Sequence, residues 1–251
     1  MHGGVQYSVK LDGIRCLCFR LEDQVVLQSR TGRDLARDFP DIAAAAAELP
    51  AGTVLDGELC AVDDDGRYVF EQLLRSQANR TAHLAFVAVD QVAEPGRDLR
   101  PLPFADRWTV AGTSVDTAPG AIQLVLATLD RAEAVIWYES LAPLGVEGIV
   151  CKALCSAYRP SEPRSWLKVR HAETVDAQVV DVIGPQSRPL ALRVRLPDGR
   201  IVTTSPDLNP VQARHIAAAL AERAAGERLL VEIRMGTGRH GVARFVRVRT
   251  G

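Results

Sequence analysis

Lys10 and Arg15 each border an apolar run, and only Leu11-Asp12-Gly13-Ile14 separates them. An Asp-Gly step in so short a connection turns the backbone sharply. The chain is therefore expected to double back so that the lysine and the arginine face one pocket. Both residue types suit phosphate. Lysine brings one compact amine, and arginine brings a planar fork that matches phosphate oxygens. The stretch from Val9 to Arg15 fits a lysine nucleophile aimed at a nucleotide α-phosphate. It fits equally a surface hairpin with a solvated Lys-Asp pair, so the rest of the chain must decide.

The chain has 251 residues, enough for one large domain or two ordinary ones, and its 47% hydrophobic content is ample for a core. No apolar run is long enough to span a bilayer, and the N-terminal stretch does not resemble a signal peptide. The expectation is a cytoplasmic protein with no membrane partner. The five cysteines are odd in number and form no CxxC pair, which argues against a disulfide framework and a structural zinc site. Cys16 and Cys18 share one face of an expected strand, and the cysteines read as small buried hydrophobes. Asp63-Asp64-Asp65-Gly66 reads as a hairpin turn rather than a metal site. The net charge of −1 hides an asymmetry: from Arg164 onward there are 15 Lys and Arg against 8 Asp and Glu, a net of +7. That split points to a basic C-terminal module that touches polyanions.

Residue patterning predicts a hairpin of strands at 15–21 and 24–29, and further strands at 53–62, 83–92, 122–127, 146–152 and 165–171. Helices are expected at 38–49, 70–75 and 129–141, with a helical turn at 105–110 and a flexible connection at 111–120. After His171 the texture changes. Strands at 175–183, 191–196, 200–204, 229–234 and 242–248, with one helix at 211–225, suggest a small OB-type β-barrel. The fold class is α+β, antiparallel sheets with flanking helices, divided into domains at 1–171 and 172–251.

Eight charged residues sit at expected strand ends: Lys10, Arg15, Arg30, Glu58, Glu147, Lys152, Lys168 and Arg170. Cations with two carboxylates are what metal-assisted phosphoryl transfer requires. In order, the motifs are Lys10-x-Asp12-Gly13-x-Arg15, Ser29-Arg30-Thr31-Gly32-Arg33-Asp34, Asp56-Gly57-Glu58, a strand ending in Asp90, Glu147-Gly148-Ile149-Val150-x-Lys152 and Trp166-Leu167-Lys168-x-Arg170. This series, within a match from Tyr7 to Arg249, resembles the ATP-dependent DNA ligases and related covalent nucleotidyltransferases, the small actinobacterial ligases in particular.

The resemblance implies a nucleotidyltransferase (adenylation) domain followed by an OB-fold barrel. It implies ATP and Mg²⁺ or Mn²⁺ as cofactors, nicked duplex DNA as partner, and a monomer. Lys10 would carry AMP. Arg15 and Arg30 would contact the nucleotide, and Lys152, Lys168 and Arg170 its α-phosphate. Glu58 would hold the ribose or a metal-bound water, and Glu147 the divalent metal. Phe86 would stack on adenine, and Arg244, Arg247 and Arg249 would bind nucleic acid. Cations around Lys10 would favour its uncharged, nucleophilic form. A hinge is expected near 171–174 to serve steps of different geometry.

The chain departs from the family pattern at three places. Ser8 stands where a glutamate is common, with nine residues before Lys10; Val89 precedes Asp90 where relatives often have an aromatic; Thr250-Gly251 follow Arg249 in place of Asp-Lys. The first leaves either a truncated start or an incomplete nucleotide pocket, the second bears on the stacking assignment to Phe86, and with the third either Arg249 carries the motif's function alone or self-adenylation is slow. They also keep open a catalytically weak or inactive nucleic-acid-binding ligase paralogue, and an RNA ligase or capping-type nucleotidyltransferase.

Overall fold

The Asp12-Gly13 step does not close a hairpin. It carries the chain from one sheet to another, because β1 (Val5–Lys10) and β2 (Ile14–Arg20) pair with different partners. A Cβ at Gly13 would lie 2.5 Å from the Leu59 carbonyl oxygen, so only glycine lets the connection pass this close to its neighbour strand. The computed structural model describes residues 4–118, 120–159, 166–205, 207–223, 228–236 and 242–249. The chain divides into two units, Met1–Val169 and Arg170–Gly251.

The first sheet has the order β10-β9-β1-β8, formed by β8 (Ala127–Thr128), β9 (Gly148–Ala153) and β10 (Trp166–Arg170) around β1. The second has the order β3-β2-β4-β5-β6, with β3 (Val25–Ser29), β4 (Val54–Val62), β5 (His83–Glu94) and β6 (Arg97–Asp98). Its consecutive strands pair antiparallel, while β7 (Ile122–Leu124) joins β5 in parallel. The expected strand at 122–127 is thus split. Its first part extends the second sheet, and β8 pairs with β1 in the first. Among the described residues the chain crosses between the sheets at 11–13 and at 125–126, and Leu11 of the first crossing and Val125 of the second are buried in the same hydrophobic cluster.

Side chains alternate across the second sheet. One face of β2, β3, β4 and β5 sends Cys16, Cys18, Leu27, Leu55, Leu59 and Phe86 into the core. Helix α1 (Pro40–Ala46) closes that core with Ile42 and Ala46, and Phe70 and Leu73 of α2 (Phe70–Leu73) add to it. Of the cysteines, Cys16, Cys18, Cys60 and Cys151 are buried and free, as the reading expects, whereas Cys155 is exposed.

The segment read as a helical turn and a flexible connection is one helix, α3 (Phe104–Val115). Its Thr, Gly, Ser and Val are weak helix formers, but Phe104, Arg107, Ala111 and Val115 recur at helical spacing and are buried. Tertiary burial outweighs propensity here. Helix α4 (Arg131–Ser140) starts on an Asp130 cap whose carboxylate accepts from the Ala132 amide at 2.8 Å.

The second unit is a five-stranded sheet of order β13-β12-β11-β14-β15, all pairs antiparallel. Its strands are β11 (Ala172–Ile183), β12 (Ala191–Arg195), β13 (Ile201–Thr203), β14 (Leu230–Gly236) and β15 (Ala243–Val248). Just beyond β13, Thr204 bridges Ala243 in parallel and the Ser205 amide donates to the Ala243 carbonyl at 2.8 Å, so the sheet's two edges meet. Helix α5 (Pro210–Glu222) has an Asn209–Gln212 capping box and buries Ala213 and Ile216 against Val194, Val231 and Ile233.

Candidate active site

Strand ends of the first unit converge on one cleft. It is lined by Lys10, Arg15, Glu58, Lys152, Trp166 and Lys168, among others. The register explains this assembly. Lys10 pairs with Gly148 across β1 and β9, and Arg15 lies directly opposite Glu58 across β2 and β4. Period-two alternation then places Trp166 and Lys168 of β10 on one side of their strand.

The Lys10 amine forms an ion pair with the Glu147 carboxylate, and the Glu147 amide donates to the Lys10 carbonyl at 2.8 Å. The nearest charged group to the candidate nucleophile is therefore a carboxylate, not the cations the sequence led us to expect. Glu58 stands close by. Burial pushes its carboxyl above the ordinary range, with Lys10, Arg15 and Lys168 pulling down and Glu147 pushing up. Among the described residues no group of three His, Cys, Asp or Glu side chains forms a metal cage. Two carboxylates beside Lys10 nevertheless fit Mg²⁺, which keeps several waters and takes further ligands from phosphate.

Below the cleft lies a buried charge cluster whose pairings the sequence reading did not foresee. Asp56 and Asp90 face each other across β4 and β5, both fully buried. Each is gripped by an arginine fork. Arg15 donates to Asp56 through Nε at 2.9 Å and Nη2 at 2.5 Å. The wholly buried Arg107 donates to Asp90 at 2.9 and 2.7 Å, and its remaining nitrogen donates to the Leu102 and Ser156 carbonyls. The Tyr158 hydroxyl donates to Asp56 at 2.9 Å.

Lys152 is the fifth charge and the surplus one, since two arginines already balance two aspartates. It is 1% exposed, and its amine donates to the Val89 carbonyl. The rings of Trp166, Phe104 and Trp108 lie 4.1, 4.7 and 5.9 Å from that amine. Burial lowers its pKa to about 8; Asp90 and Asp56 oppose the drop, and Arg15 and Arg107 reinforce it. An anion in the cleft would meet this uncompensated cation.

Some expected residues do not join the site. Phe86 is fully buried in the core, because it and Val89 fall on opposite faces of β5; a Cβ on Gly57 would lie 2.6 Å from its ring. The base-stacking assignment to Phe86 is thus corrected: its ring packs beneath β4. Among the described residues Trp166 is the aromatic side chain that lines the cleft. Arg30 is exposed in the turn after β3 and does not line the cleft. Arg170 ends β10, exposed, and is likewise absent from the lining. Arg244, Arg247 and Arg249 belong to the second unit. Asp56, Asp90 and Arg107 carried one available signal: an acid or base inside an apolar run demands a partner.

Comparison with known proteins agrees with this geometry. Residues 1–170 match the family model for the ATP dependent DNA ligase domain. DNA ligase C2 of Mycolicibacterium smegmatis is 35% identical over 186 residues, covering 70% of this chain and 52% of that protein. DNA ligase C of Mycobacterium tuberculosis is 35% identical over 188 residues, covering 69% and 52%. The chain thus spans about half the length of these curated relatives. In fold, the ligase domain of M. tuberculosis LigD is similar with a TM-score of 0.61 at 22% identity, over 99% of this chain and 93% of that one. A Lig E DNA ligase structure gives a TM-score of 0.65 at 18% identity, over 98% and 93%. With its matched motifs, its fold and a family model that spans most of its length, the chain belongs to the ATP-dependent DNA ligase domain family.

Proposed function

We propose that this protein seals nicks in duplex DNA at the expense of ATP, through an AMP linked to Lys10 and then to the DNA 5′-phosphate. One observation carries the reading: the Lys10 amine lies in a cleft with Glu147, Glu58, Arg15, Lys152 and Lys168, brought there from separate strands of two sheets. The names of the curated relatives support the substrate.

In this reading the Lys10 nitrogen attacks the ATP α-phosphorus. A P–N bond forms, the P–O bond to pyrophosphate breaks, and the amine gives up a proton. Glu147 holds the amine in place and is its nearest proton acceptor. Lys152 and Lys168 meet the charge that develops on the α-phosphate, while the Asp56 carboxylate keeps the Arg15 fork extended beside Glu58. Glu58 and Glu147 would hold a divalent ion, Mg²⁺ or Mn²⁺, whose charge would neutralise the triphosphate. AMP then passes to the nick's 5′-phosphate, and the 3′-hydroxyl displaces it as the strand closes.

The domains are read as adenylation over 1–171 and OB-fold over 172–251. The five strands, the helix before β14 and the meeting of the sheet edges at Thr204 and Ala243 support the second assignment. The protein acts as a monomer in the cytoplasm, where ATP and DNA are both present. No helix among the described residues is long and apolar enough to cross a membrane. The test is sealing of a labelled nicked duplex with ATP and Mg²⁺. Wild-type protein is expected to seal it and Lys10→Ala to leave it open; equal sealing by both would refute the proposal.

A further inference from the structure

We propose that Arg107 is a positioning residue for the adenylation step: from helix α3 it holds the Asp90 carboxylate and the strand bend beside it, and through them the Lys152 amine. The proposal rests on the nick-sealing reading for the reaction that Lys152 serves.

Arg107 lies outside every motif of the series above, yet it is 0% exposed. Stability alone does not account for it. Apolar side chains of similar volume commonly replace a buried ion pair without loss. What the Arg107–Asp90 pair has is its place. Asp90 follows Val89, the extra residue where β5 slips register against β4, between the pairs Asp56–Asp90 and Gly57–Ala88. Such a bulge leaves one residue out of the ladder and re-aims the groups beside it. Here the Val89 carbonyl accepts from the Lys152 amine, and Val89 itself lines the cleft. Asp90 fixes the next residue of the strand. Its Oδ1 accepts from the Gln91 amide at 2.8 Å, and Arg107 holds Oδ1 and Oδ2 at 2.9 and 2.7 Å.

The same guanidinium reaches the support of a second cation. Nη1 donates to the Ser156 carbonyl at 3.0 Å, in the segment after β9. Two residues on, the Tyr158 amide donates to the Arg100 carbonyl at 2.9 Å, and the Tyr158 hydroxyl donates to Asp56, the acid that grips Arg15. One fork thus ties α3 to the supports of both Lys152 and Arg15. Among the described residues the charged groups that face Lys152 are Asp90 on β5, Asp56 on β4, Arg15 on β2 and Arg107 on α3. The acids favour its protonated form and the arginines oppose it. Removing Asp90 and removing Arg107 must therefore move its titration in opposite directions. A packing role alone predicts otherwise, because loosening that admits water would raise the Lys152 pKa in either variant.

The test is NMR titration of the lysine side chains, with the Lys152 signal assigned by its loss in Lys152→Met. The single-turnover rate of Lys10-AMP formation is measured on the same proteins. Wild-type Lys152 is expected to titrate at about 8, Arg107→Met above that value and Asp90→Asn below it. Arg107→Lys keeps a charge, but one ammonium cannot serve both Asp90 oxygens and two carbonyls. It is expected to slow Lys10-AMP formation at least ~10-fold, within the ~10²-fold that a small misplacement costs. An upward shift in both Arg107→Met and Asp90→Asn, no shift in either, or a wild-type rate in Arg107→Lys would overturn the proposal. Where Arg107→Met does not fold, an upward shift in Asp90→Asn or a wild-type rate in Arg107→Lys still overturns it. Opposite shifts alongside a wild-type protein that forms no Lys10-AMP would remove the ligase reading and leave the support of Lys152 by Arg107 standing.

Discussion

The Lys10–Glu147 pair sets the chemical problem of the site. An amine held by a carboxylate is well placed, and to attack phosphorus it must both come free of that contact and lose a proton. Glu147→Gln keeps the shape and removes the proton acceptor. It is expected to slow Lys10-AMP formation by ~10²-fold or more, measured in a single turnover; an unchanged rate would show that Glu147 only positions the amine. Lys152 sets a second condition. Below pH 8 it carries a proton in both the folded and unfolded chain, and the cost of burying that charge is felt in full. Between about 8 and its ordinary 10.5 the unfolded chain holds more protons, so Lys152 makes stability rise across that window. Activity runs the other way. The adenylation rate is expected to show a falling limb near pH 8, and Lys152→Met a low rate without that limb. Lys10, Arg15, Glu58, Lys152 and Lys168 were legible because each sits in a short motif with chemical meaning. The roles of Asp56, Asp90 and Arg107 are not legible in the sequence, because their pairings join residues 17 and 41 positions apart.

At the level of elements, β5 shows how a period-two pattern can be read correctly yet assigned to the wrong face. Val89 is the extra residue at a register shift, yet it packs with Val87 on the cleft side while Phe86 packs in the core on the other; only the pairing with β4 says which side is the cleft. The consequence is measurable. Phe86→Leu should lower stability by about 1 kcal/mol through imperfect filling of the core and leave the KM for ATP unchanged. A raised KM with unchanged melting would restore the stacking role. Helix α3 was missed for a different reason: its weak helix formers hide a buried face that only tertiary packing reveals. The hairpin of β2 and β3 was read almost to the residue, since adjacent strands joined by Glu22-Asp23 need no long-range information. The Asp12-Gly13 turn was recognised as a turn, but which sheet each side joins is decided by β9 and β4, far along the chain.

Across the whole molecule, charge and core follow the same division. Residues 170–251 hold 13 Lys and Arg against 8 Asp and Glu, a net of +5, although the chain as a whole is at −1. The hydrophobic cluster of the second unit, around Val194, Ile216 and Val231, is distinct from the clusters of the first. A basic unit with its own core, and an acidic unit whose cleft gathers Lys10, Arg15, Lys152 and Lys168, fit the nick-sealing reading proposed above. The account stands or falls on covalent chemistry at one atom, Nζ of Lys10. The direct measurement is mass spectrometry of the intact protein, and then of the tryptic peptide holding Lys10, after incubation with ATP and Mg²⁺. An AMP-sized increment on that peptide, released by pyrophosphate and absent in Lys10→Ala, is the predicted result. An unmodified Lys10, or the same increment in Lys10→Ala, would contradict it.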